Sequence, residues 1–390
     1  MSIQRAVSMT LLAASFTFAQ LGLAAADGQA RAMWVVRYSL LSAESIDRMV
    51  QRAADAGFDN LFVQVCGRGD AWFPSRVYPQ SEPIRGLLAT GFDPLAYVLE
   101  KAHARGIRVH AWVNTLLVWS APSPPADPSH AYNRHPDWMM YDSDSRSLAD
   151  YSPARLNKHN IAGAFLSPAD PGVRAYLEDF IRDMVSRYPL DGVHLDYIRY
   201  PMSSVDYGPE ARRGFHSTAG IDPLKLVRQP DTVKKKYGKE RFEELMDQWR
   251  AVRAGYVSGI VARVKTVVES QRPGTVLSAA VKPDIEDAYT VFGQDWPSWV
   301  REGYVRMVLP MAYSTDPELV HAQIEAACRE IGAGHVWAGL RAWDVPVSGI
   351  MERARKIVPL NAGGICFFSY DGVQDNRYFF DAVRRLLFKR

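Results

Sequence analysis

The sequence predicts an α/β fold, a (β/α)8 TIM barrel with long strand-to-helix loops at the C-terminal face of its strands. Three observations predict it. Eight apolar strand-like runs alternate with amphipathic helical patterns nearly to the C-terminus, which implies parallel strands joined by helical crossovers in the number that closes a barrel. The long inserts, residues 68–92, 117–170 and 201–240, all follow strands, whereas helix-to-strand links such as AGFDN and ARGIR are short. Finally, the first strand is followed by RYSLLSAES and not by a glycine-rich phosphate loop, which disfavours an open doubly wound sheet.

The strand-like runs are RAMWVVRY (31–38), NLFVQVCG (60–67), IRVHAWVNTL (107–116), LDGVHLDYIRY (190–200), TVLSAAVKP (275–283), VRMVLPMAY (305–313), HVWAGLRAW (335–343) and GGICFFSYDG (363–372). Between them lie SAESIDRMVQRAADAG, DPLAYVLEKAHARG, DPGVRAYLEDFIRDMVSRY, DPELVHAQIEAACREIG and PVSGIMERARKIV. Several of these open on Ser or Asp, which accept hydrogen bonds from first-turn amides, and close on Gly. In the fourth strand a period of two puts Val193 and Leu195 on one face and Gly192, His194 and Asp196 on the other. Pro201 then blocks further strand pairing and sends the chain into a long insert.

Composition narrows the class. At 390 residues, 47% hydrophobic and 23% charged, with a net charge of +3, the chain reads as an ordinary globular protein of enzyme size. Its only dense basic run, Lys234-Lys235-Lys236, is short and reads as a solvated helix start or loop, so no nucleic-acid partner is expected. Residues 1–26 carry Arg5, an apolar stretch and Ala24-Ala25-Ala26, the pattern of a secretory signal peptide. Export to a periplasm or cell envelope is expected, with no membrane span after cleavage and residues 27–390 forming a single barrel domain. The three cysteines, Cys66, Cys328 and Cys366, read as buried inert thiols, and neither a cofactor nor a metal is expected.

Polar residues at the strand ends make a coherent rim. They are Arg37 on the first strand, Gln64 on the second, and His110, Trp112 and Asn114 on the third. His194, Asp196 and Arg199 follow on the fourth, Lys282 and Asp284 on the fifth, and Tyr313 on the sixth. Arg341, Trp343 and Asp344 come from the seventh, Tyr370 and Asp371 from the eighth. The face of a barrel where strand C-termini end carries its chemistry. Carboxylates converging there beside tryptophans match the needs of glycoside cleavage, in which one carboxyl protonates the leaving oxygen and another attacks or activates water. Trp72, Trp119, Trp138, Trp296 and Trp299 fall in or beside the inserts, where an indole either stacks on a sugar ring or packs the loop.

FDPLAYVLEKAHARGIRVHAWVN, DPGVRAYLEDFIRDMVSRYPLDGVHLDYIRYP, WVREGYVRMVLPMAY and GGICFFSYDG resemble the glycosyl-hydrolase-like 10 family, also called domain of unknown function 187, from about Arg31 to nearly the C-terminus. The resemblance implies a TIM-barrel glycosidase fold and, for bacterial envelope members, action on glycan strands including peptide-stripped peptidoglycan. A more distant similarity to the α-amylase-type clan implies Asp196 as nucleophile or principal carboxylate, with Asn114 and Asp344 at comparable supporting places. It also implies an acid on the fifth strand, either Asp284 or Glu286. His194 stands where that clan has an arginine, and Asp344 is out of parity with Arg341 and Trp343.

The expectation is therefore a glycoside hydrolase acting on a polysaccharide. Asp196, Asp284 or Glu286, and Asp344 are its catalytic candidates. Arg37, Gln64, His110, Trp112, Asn114, His194, Arg199, Tyr313, Arg341, Trp343 and Asp371 are its substrate-binding candidates. One rival is a non-catalytic glycan-binding barrel. Another is a metal-dependent deacetylase, to which His110 and His194 on adjacent strands would contribute ligands.

Overall fold

The computed structural model describes residues 28–386; the segment read as a signal peptide lies outside the described residues. Eight parallel strands close into a barrel: β1 (Ala30–Val35), β2 (Asn60–Cys66), β3 (Arg108–Asn114), β4 (Gly192–Asp196), β5 (Val276–Val281), β6 (Met307–Ala312), β7 (Trp337–Arg341) and β8 (Gly364–Phe368). Each pairs with its neighbours in chain order, and β8 returns to β1 with Ala30 opposite Gly364 and Trp34 opposite Phe368. All eight expected runs are strands. The fourth is the most shortened, stopping at Asp196 because Tyr197 takes a left-handed conformation (φ 49°) that turns the chain off the sheet.

Period-two alternation sorts the strand residues into two cores. Met33, Val35, Leu61, Val63, Val109, Val113, Val193 and Leu195 point outward and are buried beneath the helices. Ala32, Trp34, Phe62, Trp112, Met307, Leu309, Trp337 and Cys366 point inward and fill the barrel, which is a packed core and not a pore. Each large apolar side chain so buried contributes about 1.5–3 kcal/mol. The helices begin as their sequences suggest. Ser42 caps Ala43–Ala56, and Asp93, Asp170 and Asp316 cap Pro94–His103, Pro171–Arg187 and Pro317–Ile331 through first-turn amides.

The inserts cover the C-terminal end of the strands. After β3 the chain forms a two-stranded antiparallel ribbon, Leu117–Trp119 against Ala164–Phe165. The stretch 201–240, read only as an insert, contains the helices Pro209–Ala219, Pro223–Arg228 and Pro230–Tyr237, ahead of a 33-residue helix, Lys239–Gln271. Phe215, Leu224, Leu226 and Val233 from the short helices pack on Phe242, Leu245 and Trp249 of the long one, giving the insert its own small core. Lys234, Lys235 and Lys236 fall in the last turn of Pro230–Tyr237, where cations favour the carbonyl end of the helix. Cys66 and Cys366 are buried and Cys328 is half-buried. Among the described residues no helix is long and apolar enough to cross a membrane.

His110 and His194 lie deep in the interior. The Trp34 indole donates to His194 Nε2 at 3.1 Å, which leaves the proton on Nδ1 to meet Ser278 Oγ at 3.0 Å. His110 stacks on Phe62 with centroids 4.5 Å apart and bonds Asn60 through Nε2 at 3.0 Å. Burial lowers both imidazoles, His110 to about 4, so both are neutral. They have the expected parity but stand below the mouth. The expectation that they bind substrate is therefore corrected, and the same commitment to packing removes the ligand pair on which the deacetylase rival rested.

Gly192 lies against this layer, since a Cβ there would meet His110 Nδ1 at 2.1 Å. Gly192→Ala is expected to destabilise the fold by about 1–3 kcal/mol through overpacking. A thermal or denaturant unfolding measurement matching wild type would count against this packing.

Candidate active site

The site grows from the ends of β3 and β4, where Asn114 pairs with Asp196 and Trp112 with His194. Asp196 ends its strand with the side chain turned inward and is only 7% exposed. The Trp112 indole donates to its Oδ2 at 3.1 Å, and the Tyr197 amide donates to its Oδ1 at 2.6 Å. The left-handed turn at Tyr197, uncommon for an aromatic residue, accompanies that second bond. Burial raises the carboxyl above its ordinary value. The Tyr197 amide, Arg199, the Trp112 indole and Lys282 oppose that rise without cancelling it.

Around Asp196 stand a polar relay and an aromatic wall. Arg37 donates to Gln64 Oε1 at 2.7 Å, Gln64 Nε2 to Asn114 Oδ1 at 3.4 Å, and Asn114 Nδ2 to the Gly67 carbonyl at 2.9 Å. Gly67 leaves room for Arg37, because a Cβ there would sit 2.5 Å from the guanidinium. Tyr313 stacks on Phe368 at 5.7 Å and meets Trp343 edge-on at 5.1 Å. Burial comes first and Asp196 second in pushing the Tyr313 hydroxyl well above its usual value, which keeps it a neutral donor. Asp371 fastens β8 to the first loop, accepting from the Val36 amide at 2.7 Å and the Ser39 hydroxyl at 2.9 Å.

The remaining candidates face elsewhere. Asp284 is exposed and caps the helix Ile285–Thr290, accepting from the Asp287 amide at 2.8 Å. Glu286 is exposed in the first turn of that helix. The Asp344 side chain is 88% exposed and meets Arg341 at 3.4 Å, while Arg341 itself lies on the Trp343 ring at 4.8 Å. All three are acids close to strand ends, but the turn after each strand carries these side chains outward. Of the loop tryptophans, Trp72, Trp296 and Trp299 are buried in packing, and Trp119 and Trp138 are partly exposed.

Two contributors go beyond the residues expected from the sequence to act at the site. Lys282 shares the parity of the inward-facing Ser278, a signal present but given no role. Tyr197 carried no sequence signal, because its effect comes from a backbone conformation.

The chain is thus a closed parallel (β/α)8 barrel with a buried carboxylate, an indole, a backbone amide and an aromatic wall at its C-terminal mouth. The chain belongs to the glycosyl hydrolase-like 10 family, whose description matches residues 29–346. It is 27% identical over 283 residues to glycosyl hydrolase DigH of Escherichia coli K12, a match covering 66% of this chain and 55% of the relative. With glycosyl hydrolase YngK of Bacillus subtilis the figures are 24% identity, 66% and 46%. The chain thus spans about half the length of the curated relatives it matches. In fold it is similar to the PgaB (BpsB) glycoside hydrolase domain of Bordetella bronchiseptica, with a TM-score of 0.69 and 15% identity, covering 93% of this chain and 99% of that one. It is also similar to α-L-fucosidase isoenzyme 2 of Paenibacillus thiaminolyticus, with a TM-score of 0.60 and 14% identity, covering 92% of this chain and 49% of that one.

The raised Asp196 carboxyl has a consequence for stability. Between the ordinary aspartate value of 3.8 and its higher folded value, the folded chain holds the proton more tightly than the unfolded chain does. Stability attributable to this group therefore falls as pH rises through that window. Asp196→Asn is expected to gain in melting temperature relative to wild type as pH rises from about 4 to about 8. A difference independent of pH would show that the carboxyl is not shifted.

Proposed function

We propose that this protein is an exported glycoside hydrolase that cleaves O-glycosidic bonds in a polysaccharide, with peptidoglycan glycan strands of the bacterial envelope as substrate. The observation that carries the reading is the buried carboxyl of Asp196 at the barrel mouth, raised toward the range in which a carboxylic acid is a useful proton donor. In this reading Asp196 is the principal catalytic carboxylate. Its protonated form donates to the leaving glycosidic oxygen. As the bond between the anomeric carbon and that oxygen breaks, the Trp112 indole and the Tyr197 amide stabilise the carboxylate left behind, and when water bonds to the anomeric carbon its proton returns to Asp196. Arg37, Gln64 and Asn114 hold one side of the mouth, and Tyr313 and Trp343 offer faces and edges to a sugar ring. The family and the printed names of the relatives support glycoside hydrolysis, and the signal-like segment at residues 1–26 supports an envelope location.

A second reading, a glycan-binding barrel without hydrolysis, is favoured by one observation. Asp284, Glu286 and Asp344 all face solvent, so none of these candidates is committed as a partner carboxylate to Asp196.

Incubating the protein with purified, peptide-free glycan and measuring new reducing ends separates the two. Wild type is expected to release them, and Asp196→Asn is expected to lose about 10²–10⁴-fold in rate while keeping its circular dichroism and cooperative melting. Wild-type activity in Asp196→Asn would remove the assignment, and retention of glycan without any cleavage by wild type would establish the binding reading.

A further inference from the structure

Two cations beside Asp196 have donors that the protein does not use. Lys282 Nζ lies 4.4 Å from the centroid of the Phe292 ring and makes no hydrogen bond or ion pair among the described residues. Arg199 stands over the same ring at 5.4 Å and over Tyr197 at 4.9 Å. Its Nε is buried without a partner, and its Nη1 makes a long 3.3 Å bond to the Tyr200 carbonyl. Neither cation forms a close ion pair with Asp196, although both act on it through space. Asp287, exposed in the helix after β5, also acts on Lys282.

We propose that Arg199 and Lys282 form an anion subsite that binds a carboxylate on a sugar unit next to the scissile bond, so that the barrel selects acidic over neutral glycans. This rests on the glycan reading above and adds a substrate class to it. Two like charges against one ring repel each other, and the buried carboxylate that acts on both is Asp196, Asp287 being exposed to solvent. Burial first and Arg199 second hold the Lys282 ammonium down to about 8; the charge of a bound anion would oppose both. The Lys282 ammonium, with its donors free, can meet a carboxylate directly, and the half-buried Arg199 guanidinium beside it adds charge-assisted attraction. Both cations lie against the Phe292 ring, Lys282 at 4.4 Å and Arg199 at 5.4 Å from its centroid, and each is near enough to act on Asp196.

Two probes differing in one group test it. One is peptide-free peptidoglycan glycan, whose lactyl ethers carry free carboxylates, and the other is the same glycan after carbodiimide conversion of those carboxylates to methylamides. The intact protein is expected to bind the carboxylated form at least about tenfold more tightly, the scale of one charge-assisted hydrogen bond. Lys282→Met is expected to lose most of that preference by weakening the carboxylated form alone, and Lys282→Arg is expected to keep it. Equal affinity of wild type for the two glycans overturns the proposal, as does a Lys282→Met loss that falls equally on both. Reducing ends are read in parallel. Cleavage of both glycans with equal affinity removes the subsite and leaves the hydrolase, whereas preference in binding without cleavage removes the hydrolase and leaves the subsite.

Discussion

Closure of eight parallel strands forces every second side chain of each strand toward one axis, and the rest of the molecule follows from how that narrow interior is filled. Lower down it takes Phe62, His110 and Gly192, the glycine being present because His110 already occupies the space of a Cβ. One level up, Trp112 lies beside His194, and above them Asn114 lies beside Asp196. The packed floor fixes the height of the carboxylate. An imidazole that misses the mouth by one pleat belongs to the core, whatever chemistry its residue type suggests.

Burying a carboxylate is costly unless donors meet it. Here two neutral donors, an indole and a backbone amide, take one oxygen each, and two cations act from farther away without forming close pairs. Close ion pairs would have held Asp196 ionised. The arrangement instead leaves its carboxyl raised and accepts a cost in stability at neutral pH, as functional sites commonly do. The aromatic wall of Tyr313, Phe368 and Trp343 excludes water from one side and so strengthens every polar contact inside.

The inserts matter because they are confined to one end. Helix-to-strand links are short at the bottom of the barrel, so added chain accumulates at the top, where it can grow without disturbing strand pairing. The segment after β4 shows how far that growth extends: short helices with a few apolar residues bury them against the first half of the long helix that follows, building a second core above the rim.

The sequence by itself determined the fold and the inward aim of Asp196, Trp112 and Asn114, because strand parity and the order of elements are local properties with one closed solution. It also exposed the resemblance carried by LDGVHLDYIRYP. Only the tertiary structure decided depth and direction. His110 and His194 share the parity of the mouth residues yet lie in the floor, since depth depends on the stagger between strands. Asp284, an acid at a strand end, became a helix cap because the chain turns into a helix immediately after it. Lys282 and Arg199 converge on one phenylalanine from just beyond the ends of β5 and β4, a meeting that the pairing of those two strands creates and that spacing along the chain does not encode.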